Sequence, residues 1–282
     1  MLLRSIRSSL GRYLAILAIV ALGVGFFAGL KSSQPAMQST VDEYMRDNRM
    51  FDFQLMSSLG LTESDRAAFA QLDGVKYAEG AYGVDAMAAV GKTEEPYRFM
   101  SVTENVSVPL LVAGRMPETD GECLADAGAF SKKDIGKTVQ LSEDNDADTL
   151  DMFTSRSYKI VGIAKSPRYI SNDRGSTSLG SGSLKGFIIL PAAAFNSEVY
   201  HEILLYCNFD GALFSSEYDT ARDKLKPRIQ QLLNRCGARR YETLRAETDA
   251  KLADAQLEIN DGWDEYYANE SSALSQINDG LA

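Results

Sequence analysis

A chain of 282 residues with 45% hydrophobic and 24% charged residues is long enough for one large or two modest globular domains, and it is too apolar for intrinsic disorder. The formal net charge is −10, and Arg4, Arg7 and Arg12 all precede the first acidic residue, Asp42, so the remainder of the chain is more acidic still. Such a chain repels phosphate backbones, which excludes nucleic acid as a partner.

Cysteine and histidine usage limits the chemistry that the chain can perform. Cys123, Cys207 and Cys236 are too few and too widely spaced for a disulfide framework, so each is predicted to be a small buried side chain. The only histidine, His201, lies in the strand-like run HEILLYC and has no second zinc ligand at short spacing. This placement also disfavours a catalytic triad. We therefore expect no enzyme activity, no cofactor and no metal site.

An uncharged run of eighteen residues, YLAILAIVALGVGFFAGL, covers residues 13–30 and is closed by Lys31. As a helix it is about 27 Å long, close to the hydrocarbon thickness of a bilayer, and it predicts a transmembrane helix. The arginines of the basic leader, residues 1–12, place the N-terminus in the cytoplasm and the bulk of the chain outside the membrane. The residues expected to span the membrane include Tyr13, Leu14, Leu17, Val20, Gly23, Phe26, Phe27 and Leu30.

Two alternatives concern this segment. A signal peptide also begins with basic residues, but its apolar core is usually about 7 to 15 residues long, and the sequence KSSQPAMQST after Leu30 is a poor cleavage site. Gly23, Gly25 and Gly29 either let a second helix approach closely or reflect the ordinary abundance of glycine in membrane helices. We favour an uncleaved helix and leave the role of the glycines open.

An α+β unit is predicted directly after the membrane segment. The spacing of Val41 and Met45 indicates that the first helix continues out of the bilayer. Thr62, with Asp65 three residues later, predicts the start of a short helix that Gly74 can stop. Strands are expected at 51–56, at 75–90 and at 97–102, the last two joined by the turn-like sequence GKTEEP.

The middle of the chain is richer in strands and turns. Residues 135–141 and 158–164 have strand patterns, and the acidic segment 142–151 between them is expected to be a solvated, mobile loop. The Gly- and Ser-rich segment 171–186 lacks the GK[ST] ending of a phosphate-binding loop, so it is interpreted as a flexible or partner-contacting loop. Strands are expected again at 187–190 and 202–209, with Pro191 beginning a short helix.

The C-terminal quarter of the chain is helical by pattern. Apolar residues from Tyr218 to Leu232 follow helical spacing, and Pro227 is expected to kink or split that helix. Leu252, Ile259, Tyr266 and Ala273 then recur every seven residues, with Ala255, Trp263 and Ile277 near the complementary seam. This period predicts a coiled coil or a long antiparallel hairpin, and we expect the pattern to continue into a longer protein.

The sequence LVAGRMPETDGECLAD, residues 111–126, resembles a phrase of the MacB/FtsX-like ABC transporter permeases, in which "GR.P....GE" introduces strands of the extracytoplasmic domain. Gly114, Arg115, Pro117, Gly121 and Glu122 match it. The pair IGKTVQL and YKIVGIA is similar to the family's "IGD.V.L... Y.VVGI", with Lys137 in place of the common Asp. These are turn and strand motifs, and Arg115 and Glu122 are interpreted as a turn-stabilising ion pair or as plain surface charges rather than as ligand contacts.

The resemblance implies a fold class, α+β, and a domain order. A transmembrane helix at 13–30 precedes an extracytoplasmic domain at 31–243, and 244–282 begins a coiled-coil segment typical of a Gram-positive branch. The domain is expected to have two subdomains, 51–110 with 190–243 and, separately, 111–189. The implied partners are membrane lipid, a separate ABC ATPase subunit and a second permease copy or homologue, with an extracellular or cell-wall protein as a candidate for the coiled coil.

Three functions remain in competition. The resemblance implies a permease domain that couples ATP hydrolysis by another subunit to export, to lipoprotein or peptide handling, or to control of cell-wall enzymes. A single-pass adhesion or signalling ectodomain with a self-associating coiled coil is the alternative. A membrane-tethered hydrolase would need Asp144, Asp146 and Asp148 as a metal or acid/base site, yet this loop lacks the Gly and terminal Glu of an EF-hand and is better explained as solvated surface.

Overall fold

The computed structural model of the chain describes residues 10–281; the start of the basic leader, residues 1–9, and Ala282 lie outside the described part. The elements in chain order are α1 (Leu10–Asp47), β1 (Phe53–Leu61), α2 (Glu63–Ala70), β2 (Val75–Ala81), β3 (Gly83–Val90), β4 (Thr93–Ser101), β5 (Leu110–Gly114), β6 (Glu122–Asp126), β7 (Thr138–Leu141), α3 (Ala147–Asp151), β8 (Ser157–Lys165), β9 (Gly186–Leu190), β10 (Tyr200–Cys207) and α4 (Ser216–Leu281). Short 3₁₀ turns occupy Lys132–Asp134 and Ala192–Ala194, the second directly after Pro191 as predicted. The predicted α+β class, with a long apolar helix at the N-terminus and a long helix at the C-terminus, is confirmed.

A three-stranded antiparallel sheet in the order β1-β10-β2 forms the smaller of two layers. Its core joins Leu55 and Ile203 of the sheet to Phe69 of α2 and to Leu225 and Ile229 of α4. The predicted apolar face of the helix after residue 216 is therefore the face that packs on this sheet. Burial of these side chains holds the first part of α4 to the domain.

The larger sheet is mixed and has the order β5-β8-β6-β9-β4-β3-β7. The β4–β9 and β6–β8 pairs are parallel, and the other pairs are antiparallel. Since β7 also pairs with β8, the hydrogen bonds run in a closed ring of six strands, and β5 extends it at one end of β8. The interior of the ring is filled by fully buried large side chains, among them Phe99, Tyr158, Ile160 and Ile188.

The predicted strand 75–90 is two strands in the structure. It breaks at Tyr82, where the chain passes from the small sheet to the large one, so β2 and β3 share an apolar pattern but belong to different layers. The chain consequently leaves the small sheet for the large one at Tyr82. No composition change marks this crossing.

The expected turn GKTEEP is shorter than predicted, because only Gly91 and Lys92 leave the sheet and β4 already begins at Thr93. Pro96 has no amide hydrogen to donate to a neighbour. It is accommodated because the parallel partner β9 begins its register at Tyr97, opposite Gly186. The carbonyl of Pro96 instead accepts a hydrogen bond from the backbone of Lys185 (2.9 Å).

The acidic segment 142–151 is not the freely solvated loop that the sequence predicts. Residues 147–151 form α3, and the carboxylate of Asp146 caps it by accepting from the backbone of Thr149 (2.6 Å). Asn145 is buried, and its side-chain amide bonds both the N–H and the C=O of Met87, each at 2.8 Å. The side chain of Asn145 therefore attaches the segment to β3, because it makes both backbone hydrogen bonds that a neighbouring strand would make to Met87.

The C-terminal helix α4 runs without interruption for 66 residues, so the predicted split at Pro227 does not occur. Leu225 and Ile229, on either side of the proline, are both buried in the core of the small sheet and hold the helix in register across it. From Arg245 to Gly280 every side chain is exposed. The helix is thus a packed element in its first part and a free rod in its second.

Candidate functional site: the junction of the two long helices

The C-terminal end of α1 is fixed to the segment that leads into α4. The carboxylate of Asp42 accepts a hydrogen bond from the backbone N–H of Leu213 (2.6 Å), and Arg46 bonds both Asp42 (2.9 Å) and the carbonyl of Gly211. Ser215 then caps α4 by accepting from the backbone of Tyr218 (3.2 Å). The last turns of α1 therefore contact the short segment that leads directly into α4.

The chain leaves α1 through a Schellman-type ending, which fixes the exit angle of the helix. The N–H of Met50 bonds the carbonyl of Met45 (2.8 Å) and that of Arg49 bonds the carbonyl of Arg46 (3.0 Å), the two hydrogen bonds of that motif. Arg49 takes the left-handed conformation, with φ of 47°, at the position where glycine is usual. Its guanidinium lies 5.6 Å from the ring centre of Tyr77, which ties the turn to β2.

Asp52 connects three elements at the centre of the junction. One carboxylate oxygen accepts from the hydroxyl of Tyr218 in α4 (2.6 Å), and the other accepts from the backbone N–H of Cys207 at the end of β10 (2.6 Å). Burial raises the pKa of Asp52, and these two hydrogen bonds oppose that shift. The cavity between Arg46, Asp52 and Tyr218 measures only about 30 Å³, so this region is a joint between elements and has no room for an organic ligand.

A buried ion pair ties the large sheet to the small one. Arg168, in the segment after β8, makes two hydrogen bonds to Glu202 of β10 at 2.6 and 2.9 Å. Glu202 is 2% exposed, and Gln54 of β1 bonds the same carboxylate. The carboxylate of Glu79 adds a second tie, because it accepts from three successive backbone N–H groups at residues 104–106. The two sheets are thereby held as one unit at the junction.

The motif residues of the resemblance lie at the turn between β5 and β6, away from the junction. Gly114 has φ of +82°, and a side chain there would collide with the carbonyl of Val161, so this position requires glycine. Arg115 pairs with Glu122 through two hydrogen bonds, one of them 2.7 Å long. The hydrogen bonds from Arg115 and from the backbone of Glu118 lower the pKa of Glu122 to about 2. Pro117 and Gly121 lie in the same turn, and the carbonyl of Gly121 accepts from Lys159 (2.8 Å).

The Gly- and Ser-rich segment 171–186 is anchored to the large sheet. Arg174 makes a two-point ion pair with Asp126 of β6, at 2.6 and 3.0 Å, and its guanidinium lies over the rings of Tyr169 and Phe187. The C-terminal end of segment 171–186 is fixed by Leu184, which is buried. The segment is therefore attached to the large sheet at these two points, and its role as a flexible or partner-contacting loop stays a prediction for the exposed residues between them. A cleft of about 460 Å³ separates this segment from the outer part of α1.

The three cysteines are buried and free, as predicted for small core side chains. Burial raises the pKa of each thiol, that of Cys236 to about 11, so all three are protonated at neutral pH. His201 is partly buried, and its Nδ1 lies 3.2 and 3.1 Å from the backbone N and O of Gly83. Burial lowers the pKa of this imidazole. Within residues 10–281 no cluster of three or more His, Cys, Asp or Glu side chains is arranged to hold a metal ion.

The apolar part of α1 packs against nothing else within residues 10–281. Tyr13, Leu14, Leu17, Val20, Phe26, Phe27 and Leu30 are all about half exposed or more, and Gly23 has open space beside it. Within residues 10–281, α1 is the helix with the length and composition to cross a membrane. An exposed apolar helix leading into a folded domain is the arrangement of a membrane anchor.

The charged residues that hold the junction, the two sheets and segment 171–186 together were not predicted from the sequence. Asp52, Arg168, Arg174 and Glu202 carry no local motif, and their partners lie 34 to 166 residues away along the chain. A charged residue inside an otherwise apolar strand is the one signal that was present. Glu202, in HEILLYC, is such a residue.

No protein family model and no curated protein matches this sequence. Among solved structures, the periplasmic region of MacB from Actinobacillus actinomycetemcomitans aligns with 64% of this chain and 76% of its own, at 14% identity and a TM-score of 0.37. The extracellular domain of the noncanonic ABC-type transporter YknZ from Gram-positive bacteria aligns with 63% of this chain and 84% of its own, at 16% identity and a TM-score of 0.38. The chain thus resembles extracytoplasmic domains of MacB-like ABC transporters at low identity, and the likeness is one of fold.

Proposed function

We propose that this chain comprises the first membrane helix and the extracytoplasmic domain of an ABC transporter permease subunit. In this proposal the N-terminus is cytoplasmic and the domain lies outside the membrane. The domain couples ATP hydrolysis by a separate subunit to export, to lipoprotein or peptide handling, or to control of cell-wall enzymes. Support comes from the exposed apolar helix, the acidic composition of the domain and the turn motif around Gly114.

The continuity of α1 carries this proposal. The helix extends from Leu10 to Asp47, about 57 Å, so about 25 Å of it lies beyond the apolar run. Its last turns are bonded to the backbone of Gly211 and Leu213, which directly precede α4. Pro35 lies inside this stretch but does not end the helix. A tilt or shift of the helix in the membrane is therefore transmitted to the domain without an intervening non-helical linker.

The partners in this proposal are those that the permease resemblance implies. Membrane lipid surrounds the apolar part of α1. An ATPase subunit and a second permease copy or homologue complete the transporter, and ATPase activity belongs to the separate subunit. An extracellular or cell-wall protein is the candidate partner of the exposed end of α4.

A pair of insertions tests the coupling. Two glycines inserted between Lys31 and Ser32 interrupt α1 just outside the apolar run, whereas two glycines inserted between Gly180 and Ser181 lengthen an exposed loop. We expect the ATPase subunit encoded with the full permease to co-purify with both variants. In lipid, the ATPase rate should lose its dependence on the permease only in the first variant. Failure to find an associated ATPase, or recovery of the protein from the medium trimmed beyond Leu30, would end the proposal.

A single-pass adhesion or signalling ectodomain is the second candidate, and the exposed second part of α4 favours it. That function requires the helix to associate with itself. Sedimentation of the 282-residue chain in detergent distinguishes the two candidates, because the adhesion function predicts a dimer that dissociates when residues 245–282 are removed. The permease function predicts an unchanged mass apart from the deleted residues.

A further inference from the structure

The cleft between α1 and segment 171–186 has room for a small organic ligand. Its volume of about 460 Å³ falls within the range of about 300 to 1,000 Å³ that is usual for ligand pockets. Thr40, Val41 and Tyr44 of α1 form one wall, and the chain that follows β8, including Ile170 and Asn172, forms the other. A ligand in this cleft would therefore contact the helix and the domain together.

The side chains that line the cleft are cationic although the chain as a whole is acidic. Lys165 and Arg174 line it, and no Asp or Glu among residues 10–281 does. Arg174 is neutralised by its ion pair with Asp126, since these side chains are only 9% and 1% exposed. Lys165 is exposed and makes no ion pair with any residue of the described part. The cleft therefore holds one uncompensated positive charge, which favours an anionic ligand.

Hydrogen-bond donors without a protein partner lie in the same cleft as Lys165. Ser166 is 4% exposed, and its hydroxyl oxygen accepts from the backbone of Arg168 (3.4 Å), but its hydroxyl proton has no acceptor between residues 10 and 281. In the same part of the chain, the hydroxyl of Tyr44 and the side-chain amide of Asn172 bond no protein group. Carboxylate or phosphate oxygens can accept from such donors in addition to Lys165.

Apolar side chains complete the lining. Ile170 is 62% exposed beside the cleft, and Val41 faces it from α1. The ring of Tyr169 is held in place because the guanidinium of Arg174 lies 5.3 Å from its centre and the ring of Phe187 stacks on it. These surfaces would be removed from water by an apolar group on the ligand, which adds to the binding free energy.

We propose that this cleft binds a small amphipathic anion, in which one carboxylate or phosphate group is joined to an apolar group. The anionic group contacts Lys165 and Ser166, and the apolar group contacts Val41 and Ile170.

The ligand reaches the cleft from the aqueous side. Thr40 lies ten residues beyond Leu30, about 15 Å along the helix, and even a 40° tilt leaves about 11 Å. The headgroup layer is only about 5 to 8 Å thick, so lipids in the bilayer do not reach this level. This step rests on the proposed function, because it takes α1 as a membrane helix, whereas the chemistry of the cleft does not depend on it.

Two pairs of probes test the requirement for an anion. The 282-residue chain in nanodiscs of zwitterionic lipid is dialysed to equilibrium against N-acetyl-Leu-Leu or its C-terminal amide, and against hexyl phosphate or hexanol. Empty nanodiscs correct for partition into the lipid. We expect saturable binding of at least one of the two acids, and binding of its neutral counterpart about tenfold weaker or absent. The acid that binds more tightly identifies the anionic group.

Matched variants locate the site. Lys165→Met should weaken binding of the acid about tenfold, and Lys165→Arg should retain it. Lys185→Met is the control, because Lys185 is also exposed but does not line the cleft. Thr40→Trp places a large side chain in the cleft and should abolish binding. Ser39→Trp should not, since Ser39 lies about 100° around the helix from Thr40, on the side away from Val41.

Five results would overturn the proposal. They are no saturable binding of either acid, equal binding of the acids and their neutral counterparts, and equal effects of the Lys165→Met and Lys185→Met substitutions. Displacement of the bound acid by anionic lipid in the nanodisc would assign the cleft to membrane headgroups. Binding that is lost in the full permease would assign it to another segment of the permease. Failure to find an associated ATPase would end the permease proposal but would leave all of these binding results unchanged.

Discussion

At the scale of single residues, the domain depends on a few buried or half-buried charges whose partners are distant in sequence. Asp52 receives hydrogen bonds from β10 and α4, and Glu202 receives the guanidinium of Arg168 from the other sheet. Taking these carboxylates out of water costs free energy that only well-placed partners offset. Loss of one partner should therefore do more damage than loss of an exposed ion pair.

The pair Arg168–Glu202 permits a direct test of that expectation. Arg168→Met leaves the buried Glu202 carboxylate without its cation and should lower the free energy of unfolding by about 3 kcal/mol. Lys137→Met breaks the exposed pair with Asp134 and should cost less than about 1 kcal/mol. Urea unfolding followed by circular dichroism measures both, and equal losses would contradict the structural role of Arg168.

The turn motif makes a prediction about pH. Glu122 has a pKa of about 2 in the folded chain against 4.5 in an unfolded one, so the stabilisation from its partners is complete above pH 4.5 and is lost as the pH falls through about 2. Arg115→Met removes the main cause and should raise the pKa of Glu122 toward 4.5. Glu118→Gln retains the backbone N–H that donates to the carboxylate of Glu122, so the pKa of Glu122 should stay low. Carboxyl carbon shifts in an NMR titration give both values.

At the scale of elements, local sequence signals predicted much of the secondary structure. Thr62 and Asp65 form the capping box that the sequence predicts, with Asp65 accepting from the backbone of Thr62 at 2.8 Å. The strand patterns at 158–164 and 187–190 were also confirmed. These signals sufficed because each depends on neighbours within a few residues.

The contribution of the capping box to the free energy of unfolding can be measured by substitution. Thr62→Ala removes the side-chain acceptor for the N–H of Asp65 and should destabilise the domain by about 1 kcal/mol. Thr62→Ser keeps a hydroxyl at the same position and should cost far less. A result in which both variants unfold at the same urea concentration would mean that the cap contributes nothing.

Three features escaped prediction because tertiary contacts decide them. Tyr82 separates two sheets, and the nearby Gly80 and Gly83 are only a weak signal of that break. Asn145, in an acidic segment, pairs with the backbone of β3. Pro227 normally interrupts a helix, yet Leu225 and Ile229 anchor α4 on both sides of it. The junction around Asp52 escaped prediction for the same reason, since its partners are brought together only by the fold.

Pro227 remains unfavourable even though the helix continues through it. Its ring removes one amide donor and crowds the preceding turn. Pro227→Ala should therefore raise the free energy of unfolding, by up to about 3 kcal/mol. Pro191→Ala, at the start of a short 3₁₀ turn where no helical hydrogen bond is missing, is the control and should give no gain.

At the scale of the whole molecule, the domain is complete without the free part of α4. The last core side chain of α4 is Cys236, and Arg239 bonds the buried Asp65 of α2. A chain ending at Leu244 should unfold at the same urea concentration as the 282-residue chain. A chain ending at Gln231 loses both contacts and should be destabilised by several kcal/mol, consistent with the cost of removing buried core groups. A shift in the midpoint on removing residues 245–282 alone would show that they contact the domain.

Because α4 is uninterrupted, its exposed second part extends from the domain as one long helix. The free part spans about 55 Å, so a 10° rocking of the domain on its anchor sweeps the tip through about 10 Å if the rod stays stiff. Small displacements of the domain at the base of α4 would then become much larger displacements at its tip.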